Sequence, residues 1–258
     1  MRYDPLETEA SRRILLELLD ELGPDRRFGL VGGWAVHSLI NRSFLEATGR
    51  EYLRSRDIDV FLDCTGDFPG RFARVLGRMG FVPGEYRFRY TLILDRESMG
   101  KLDEKKAREK QPSELIYVYL DVLGNRECEA VGVWPNEIVG RAIRSGSLRL
   151  LQVEGRQVFA PTEDFLFLLK ADSFLGREGG EKRMKDACDL YGLLFYSPAS
   201  VLELLRREGW KSGLARRALS AMLEEDVLEF IAGTLFGDRY KSGLVRRNLL
   251  RALEGLEP

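Results

Sequence analysis

The sequence predicts an α/β (α+β) fold, in which a mixed, mostly antiparallel sheet over residues 1–160 is followed by a helical domain over residues 161–258. Short apolar runs rich in β-branched and aromatic residues recur before residue 160, and such runs are typical of strands. After Pro161 the spacing of the apolar residues becomes helical. A chain of 258 residues is near the upper size for a single core, so two modest domains fit its length.

The elements of the first half follow from periodicity and from the positions of glycines. Residues 6–22 repeat apolar side chains at helical spacing, which predicts an amphipathic helix that Gly23 ends. Further helices are expected over 34–40, directly after a glycine pair, and over 68–79, which Gly80 ends. The apolar runs predict strands over 28–31, 57–62, 86–94, 115–123, 148–153 and 157–159.

Other segments are expected to have structural roles. Residues 101–112 carry a run of charges between two strands and predict a solvated, mobile connection. The heptapeptide KSGLARR at 211–217 recurs as KSGLVRR at 241–247, which is too few copies for a solenoid and indicates two similar basic helix starts. The second half begins with a helix at Thr162, because a hydroxyl residue followed by acids is typical of a helix N-terminus.

Composition argues against several classes of protein. The net charge of −1 removes the simplest argument for a dedicated duplex-DNA binder, and no apolar run approaches the roughly 18 residues of a membrane span. The polar, acidic N-terminus is unlike a secretory signal. Cys64, Cys128 and Cys188 are too far apart for a zinc knuckle or a disulfide framework. We therefore expect a cytoplasmic protein with reduced thiols and no membrane partner.

Asp57 and Asp59 are the first candidates for chemistry. Residues i and i+2 of a strand point to the same side, so both carboxylates project together among apolar neighbours. Two adjacent anions beside a core are unfavourable unless a cation compensates them, and magnesium is a hard ion that takes carboxylate and phosphate oxygens. The alternative is a strand end whose aspartates face solvent.

Two further features favour the magnesium interpretation. Gly32 and Gly33 lie at a strand-to-helix junction, where glycines let backbone amides approach a phosphate with a helix N-terminus behind them; a simple tight turn is the alternative. Asp121 is a lone carboxylate inside an apolar strand and should be paired or bind metal. Three aspartates from two strands beside a glycine turn fit two-metal phosphoryl or nucleotidyl transfer.

This order of motifs resembles the DNA polymerase β-like nucleotidyltransferase superfamily: a glycine pair, Asp-x-Asp on the next strand, and a later single Asp. The second half is similar to AbiEii-type nucleotidyltransferases, which include toxins of abortive-infection toxin–antitoxin pairs. The matching residues are Lys170, Ala171, Arg177, Lys185, Asp186, Asp189 and Leu190. The resemblance covers residues 28–195. The sequence departs from the family pattern at Leu53, where an arginine is common, and in having Ala171 directly after Lys170.

The resemblance implies a magnesium-dependent nucleotidyltransferase that moves an NMP from an NTP to an acceptor and releases pyrophosphate. The implied catalytic and metal-binding residues are Asp57, Asp59 and Asp121. The residues implied in nucleotide binding are Gly32, Gly33, Ser55, Lys170 and Arg177, and those implied in support are Asp186 and Asp189. The implied partners are an NTP, a tRNA or protein acceptor and a cognate antitoxin, and the implied cofactor is Mg²⁺.

Other interpretations are open. Lys170 fits a snorkelling surface lysine as well as a phosphate ligand, and Asp186 and Asp189 fit surface acids paired with neighbouring bases. For the whole protein, the alternatives are a small-molecule, antibiotic-type nucleotidyltransferase and a non-catalytic nucleotide- or partner-binding protein of the same fold. An active cleft is expected between the two domains, because the acids precede Pro161 and Lys170 follows it.

Overall fold

The computed structural model describes residues 4–256, and the chain divides into two compact units. Unit 1 comprises Met1–Ser38 and Arg54–Pro161, and unit 2 comprises Leu39–Leu53 and Thr162–Pro258. The predicted fold class is confirmed, because a mixed sheet lies in unit 1 and the chain from Thr162 to residue 256 contains helices and no strand. The segment Leu39–Leu53, which the sequence prediction placed in the first domain, packs with unit 2.

Within the described residues, nine strands form one sheet. They are β1 (Phe28–Val31), β2 (Ile58–Leu62), β3 (Val82–Pro83), β4 (Arg89–Asp95), β5 (Lys101–Leu102), β6 (Leu115–Gly124), β7 (Trp134–Pro135), β8 (Leu148–Val153) and β9 (Arg156–Pro161). Their order is β3-β4-β6-β2-β1-β9-β8, with β5 paired to β4 and β7 paired to β6. The pairs β1–β9, β2–β6 and β6–β7 are parallel and the other pairs are antiparallel, so the sheet is mixed and mostly antiparallel, as predicted.

The described part of the chain forms eleven α-helices. They are α1 (Pro5–Leu22), α2 (Gly32–Thr48), α3 (Phe68–Met79), α4 (Glu104–Arg108), α5 (Glu137–Arg144), α6 (Glu163–Leu175), α7 (Gly180–Tyr196), α8 (Val201–Arg206), α9 (Gly209–Ala221), α10 (Glu225–Phe236) and α11 (Ser242–Glu254). Two 3₁₀ helices, Pro112–Glu114 and Arg239–Lys241, accompany them. None of these helices is long and apolar enough to cross a membrane. The sequence did not predict α4, α5 or the two-residue strands.

The segment 101–112, predicted as a mobile connection, instead contains β5, α4 and the start of a 3₁₀ helix. The side chain of Asp103 accepts a hydrogen bond from the backbone N–H of Lys106 and so caps α4. Ala107 of α4 is buried, although its charged neighbours in the helix are exposed. A side-chain cap and one buried alanine are enough to order a segment whose composition alone is typical of a solvated loop.

The two faces of β6 have different surroundings. One face is buried and consists of Ile116, Val118, Leu120 and Val122. Helix α1 packs against β6 and β9 and contributes fully buried side chains at Ile14, Leu15 and Leu18. The alternate residues Tyr117, Tyr119 and Asp121 keep access to solvent. The acidic residue of β6 therefore lies on the open face of the sheet, with the apolar core behind it.

Candidate functional site

Strand pairing brings two of the predicted catalytic aspartates side by side. Asp59 of β2 is the register partner of Asp121 on the parallel strand β6, which puts their Cα atoms about 5 Å apart and their side chains on one face of the sheet. Asp57, predicted as the first residue of this strand, instead lies in a bend just before β2. Its charge, like that of Asp59, raises the pKa of Arg89, which pairs with Asp121, so it lies near the same group. The three predicted metal-binding aspartates are therefore neighbours in unit 1.

The three carboxylates are only partly accessible to solvent. The side chains of Asp57 and Asp121 are each 14% exposed, and Asp59 is also partly buried. Ile58 and Val60, which alternate with them, are completely buried on the opposite face. The alternative of a strand end that simply faces solvent does not agree with this burial. Carboxylates at this depth require nearby cations.

Arg89 supplies such a cation, and sequence reasoning missed it. Arg89 is the register partner of Asp121 across the antiparallel pair β4–β6. Its Nε donates to Asp121 Oδ1 at 2.7 Å and its Nη2 donates to Oδ2 at 2.6 Å, which is a bidentate ion pair. These hydrogen bonds raise the pKa of Arg89, and the charges of Asp57 and Asp59 raise it further. Both oxygens of Asp121 are thus engaged by one guanidinium.

A second arginine approaches the first aspartate. The Nε atom of Arg56 lies 4.0 Å from Asp57 Oδ1, and its Nη1 lies 3.8 Å from Glu7 Oε2. These distances are at the limit for an ion pair, and both partners of Arg56 keep partial exposure. Ser55, predicted to bind nucleotide, is buried two residues before Asp57. Its predicted role stays a prediction.

Gly32 lies directly against Asp59. It is the first residue of α2 and has φ +63°, in the left-handed region. A Cβ at Gly32 would lie 2.6 Å from Asp59 Cγ and would also clash with Oδ2, so only glycine fits here. Gly33 follows in the first turn of α2, whose initial N–H groups have no partner within the helix and carry the positive end of its dipole. The positive end of the α2 dipole therefore adjoins the carboxylates.

The donor set has the chemistry of a magnesium site but is not assembled as one. Carboxylate oxygens are the ligands that Mg²⁺ takes in proteins, and three carboxylates are neighbours here. Among residues 4–256, however, no group of three or more His, Cys, Asp and Glu side chains is arranged to hold a metal ion. Both oxygens of Asp121 accept hydrogen bonds from Arg89, so a cation from the protein already compensates the third carboxylate.

The predicted residues of the second half form a buried ionic cluster in unit 2. Lys170 of α6 has its Nζ 2.9 Å from Asp186 Oδ1 and 2.7 Å from Asp189 Oδ2, both on α7. Asp186 also accepts hydrogen bonds from Ser173, at 3.0 Å, and from Arg177. Lys170 is 12% exposed and the two aspartates are buried. The surface interpretations of Lys170, Asp186 and Asp189 are therefore wrong, and both aspartates hold the Lys170 ammonium.

Asp189 is the centre of this cluster and has further partners. Lys185, one turn earlier on α7, donates to Asp189 Oδ2 at 2.9 Å, and the Tyr52 hydroxyl donates to Oδ1 at 3.0 Å. Burial alone would raise the pKa of Asp189, but the charges of Lys170 and Lys185 outweigh it and hold the pKa below its ordinary value. Burial and the neighbouring charge of Asp189 raise the pKa of Tyr52 well above 10. Tyr52 was not predicted as part of the site.

Replacing Tyr52 with phenylalanine is expected to lower the free energy of unfolding by about 1 to 3 kcal/mol, because a buried hydrogen bond to a charged group is lost. Asp189 keeps two lysine partners, which limits the loss. Urea denaturation measures the effect. The control is Tyr240→Phe, since the side chain of Tyr240 is almost fully exposed and its change should fall within about 0.5 kcal/mol of zero. Equal stabilities of the two variants would contradict the prediction.

Comparison with known proteins identifies the fold. No protein-family model matches the sequence, and no curated protein matches it. A solved structure is similar: an antigenic nucleotidyltransferase-like protein from Paracoccidioides brasiliensis, 16% identical, with a TM-score of 0.52 over 92% of this chain and 99% of that chain. At this identity the likeness establishes architecture and not activity. The chain has a nucleotidyltransferase-like fold, with a nine-stranded mixed sheet followed by C-terminal helices.

Proposed function

We propose that the protein is a magnesium-dependent nucleotidyltransferase that transfers an NMP from an NTP to an acceptor hydroxyl and releases pyrophosphate. The observation that carries the proposal is the contact between Gly32 at the start of α2 and Asp59, whose register partner is Asp121. This arrangement sets a phosphate-binding helix start beside a group of carboxylates. A nucleoside triphosphate with its divalent cation has the two charges that such a site requires.

Each residue has a role in this proposal. The backbone amides of Gly32 and Gly33 bind the triphosphate, and Asp57, Asp59 and Asp121 hold magnesium. Magnesium, when bound, neutralises charge on the phosphates. An aspartate carboxylate accepts the proton of the attacking hydroxyl, whose oxygen forms a bond to the α-phosphorus as the bond to pyrophosphate breaks. Burial of the carboxylates to 14% exposure supports these roles, because it strengthens their electrostatic interactions.

The motif of the second half supports finer assignments. We assign the protein to the AbiEii-type nucleotidyltransferases because residues of its second half match their motif. The same match is the only basis for assigning phosphate binding to Lys170 and Arg177. Asp186 and Asp189 act as positioning residues, since both contact the Lys170 ammonium. A cognate antitoxin and a cytoplasmic location belong to the same proposal.

A tRNA acceptor has support from the surface of unit 1, with a protein acceptor as the alternative. Tyr86 and Trp134 are 53% and 55% exposed, and both rings contact Phe88, at centroid distances of 5.6 and 5.0 Å. The guanidinium carbon of Arg89, the partner of Asp121, lies 5.8 Å from the ring centroid of Tyr86. Exposed rings of this kind are suited to stacking with unpaired bases. The aromatic group therefore lies beside the proposed reaction site.

The test is transfer of label from each α-³²P-labelled NTP, with magnesium, to tRNA or to protein. Wild-type protein should label one of these acceptors. Asp59→Asn should reduce the rate by at least about 100-fold, because one of the three proposed magnesium ligands loses its charge. Asp67→Asn is the matched control, since the Asp67 side chain is 96% exposed and has no assigned role. Full activity of Asp59→Asn would contradict the proposed site. NTP binding by calorimetry without transfer would favour the non-catalytic alternative.

A further inference from the structure

The Arg89–Asp121 pair has features of a constrained ion pair. Two parallel N–H···O bonds of 2.7 and 2.6 Å join the side chains, and strand pairing fixes both backbones in register. The guanidinium carbon also lies 5.1 Å from the ring centroid of Tyr119 and 5.8 Å from that of Tyr86. Aromatic faces at these distances attract a cation. Arg89 is therefore held by a carboxylate and by two rings.

The charge of Arg89 is permanent, which distinguishes it from a titratable neighbour. A guanidinium stays protonated at any pH at which the protein is folded, so Arg89 always supplies one positive charge to the group of three aspartates. A divalent cation on the remaining lone pairs of Asp121 would meet the guanidinium charge at close range, and this repulsion would push the two side chains apart. Arg89 would then be left 23% exposed without its carboxylate partner, at a cost in free energy.

We propose that Arg89 competes with divalent cations for Asp121, and that a metal–triphosphate overcomes this competition because its phosphates become the new partner of the guanidinium. This inference rests on the proposed function, since it takes the three aspartates as the metal site. Arg89 exchanges one bidentate anion for another, as its planar fork suits both carboxylate and phosphate. The free cation offers no such exchange. The protein should therefore bind metal–triphosphate more tightly than the metal alone.

Calorimetric titration of wild type and Arg89→Gln with Mn²⁺ alone, and separately with preformed Mn²⁺–tripolyphosphate, tests the proposal without any reaction. Arg89→Gln is expected to bind free Mn²⁺ about tenfold more tightly than wild type, because the competing charge is gone, and to bind the complex less tightly, because the phosphate partner is gone. An Arg89→Gln variant whose affinity for free Mn²⁺ is unchanged or lower would overturn the proposal.

Three further variants make the result specific. Arg87→Gln removes an exposed arginine two residues away and should leave both affinities as in wild type. Adding Arg89→Gln to Asp121→Asn should not tighten Mn²⁺ binding, because there is no longer a carboxylate to compete for. If Arg89→Gln does not fold, Arg89→Met decides: it also removes the competing charge and should tighten Mn²⁺ binding, and unchanged binding would overturn the proposal.

The failure of this inference and the failure of the proposed function give different results. Label transfer by wild type, with no change of Mn²⁺ affinity in Arg89→Gln, would support the proposed function and contradict the proposed competition between Arg89 and divalent cations. Tighter Mn²⁺ binding by Arg89→Gln, with no transfer from any NTP by wild type, would support the competition and contradict the proposed transferase activity.

Discussion

Replacing Asp189 with asparagine is expected to lower the free energy of unfolding by about 3 to 5 kcal/mol, because it leaves a buried ammonium without its carboxylate. Lys185 is buried and donates to both oxygens of Asp189, at 2.9 and 3.2 Å. Lys170 keeps its ion pair with Asp186 after the change, so the main loss is the ion pair of Lys185 with Asp189. Urea denaturation followed by circular dichroism measures the difference.

The control is Asp226→Asn, an exposed acid in the first turn of α10. Its stability should change by no more than about 0.5 kcal/mol. If Asp189→Asn destabilises the protein no more than this control, the buried cluster does not stabilise unit 2 as described. Both changes remove one negative charge, so a general effect of net charge cancels in the comparison.

The contribution of Asp189 to the free energy of unfolding should depend on pH. The folded-state pKa of Asp189 lies below its ordinary value of 3.8, so the folded state binds this proton less readily than the unfolded state. Its contribution to stability is therefore fully present above about pH 5, and is lost as the pH falls below 3.8 and through the folded-state pKa. The difference in stability between wild type and Asp189→Asn should be constant from pH 5 to 7 and shrink below pH 4. A constant difference down to pH 3 would contradict this assignment.

The sequence was informative where the determining interactions are local. The apolar run after Asp57 was enough to predict the strand that carries Asp59, and the glycine pair marked the start of α2. The apolar run around Asp121 predicted both a strand and a carboxylate that needs a partner. Each of these inferences uses residues within about ten positions of one another.

The contacts that were missed depend on pairing between distant segments. Arg89 meets Asp121 only because β4 and β6 pair in one register, and a shift by one residue would put the arginine on the other face. Tyr52 reaches Asp189 from a position 137 residues earlier in the chain. Lys170 fitted a surface lysine as well as a phosphate ligand, because five apolar residues precede it and its two carboxylate partners lie on the next helix. Sequence periodicity carries no information on which partner such a side chain meets.

Replacing Gly32 with alanine is expected to remove nucleotidyl transfer and to lower the free energy of unfolding by about 2 to 5 kcal/mol, from backbone strain at φ +63° together with overpacking. The new Cβ would lie 2.6 Å from Asp59 Cγ and 2.7 Å from its Cβ, so the aspartate or the start of α2 has to move. Either movement disturbs the contact on which the proposed site depends. Label transfer and urea denaturation measure the two effects.

Gly146→Ala separates the two causes, because Gly146, also in unit 1, has a similar φ of +67° and no atom within 4 Å of a Cβ built there. It should lose only the backbone term, about 1 to 2 kcal/mol, and keep its transferase activity when folded. The excess loss in Gly32→Ala then measures the clash with Asp59. Retained transfer in Gly32→Ala would mean that the close contact between Gly32 and Asp59 is a packing feature of the helix start and is not required for triphosphate binding.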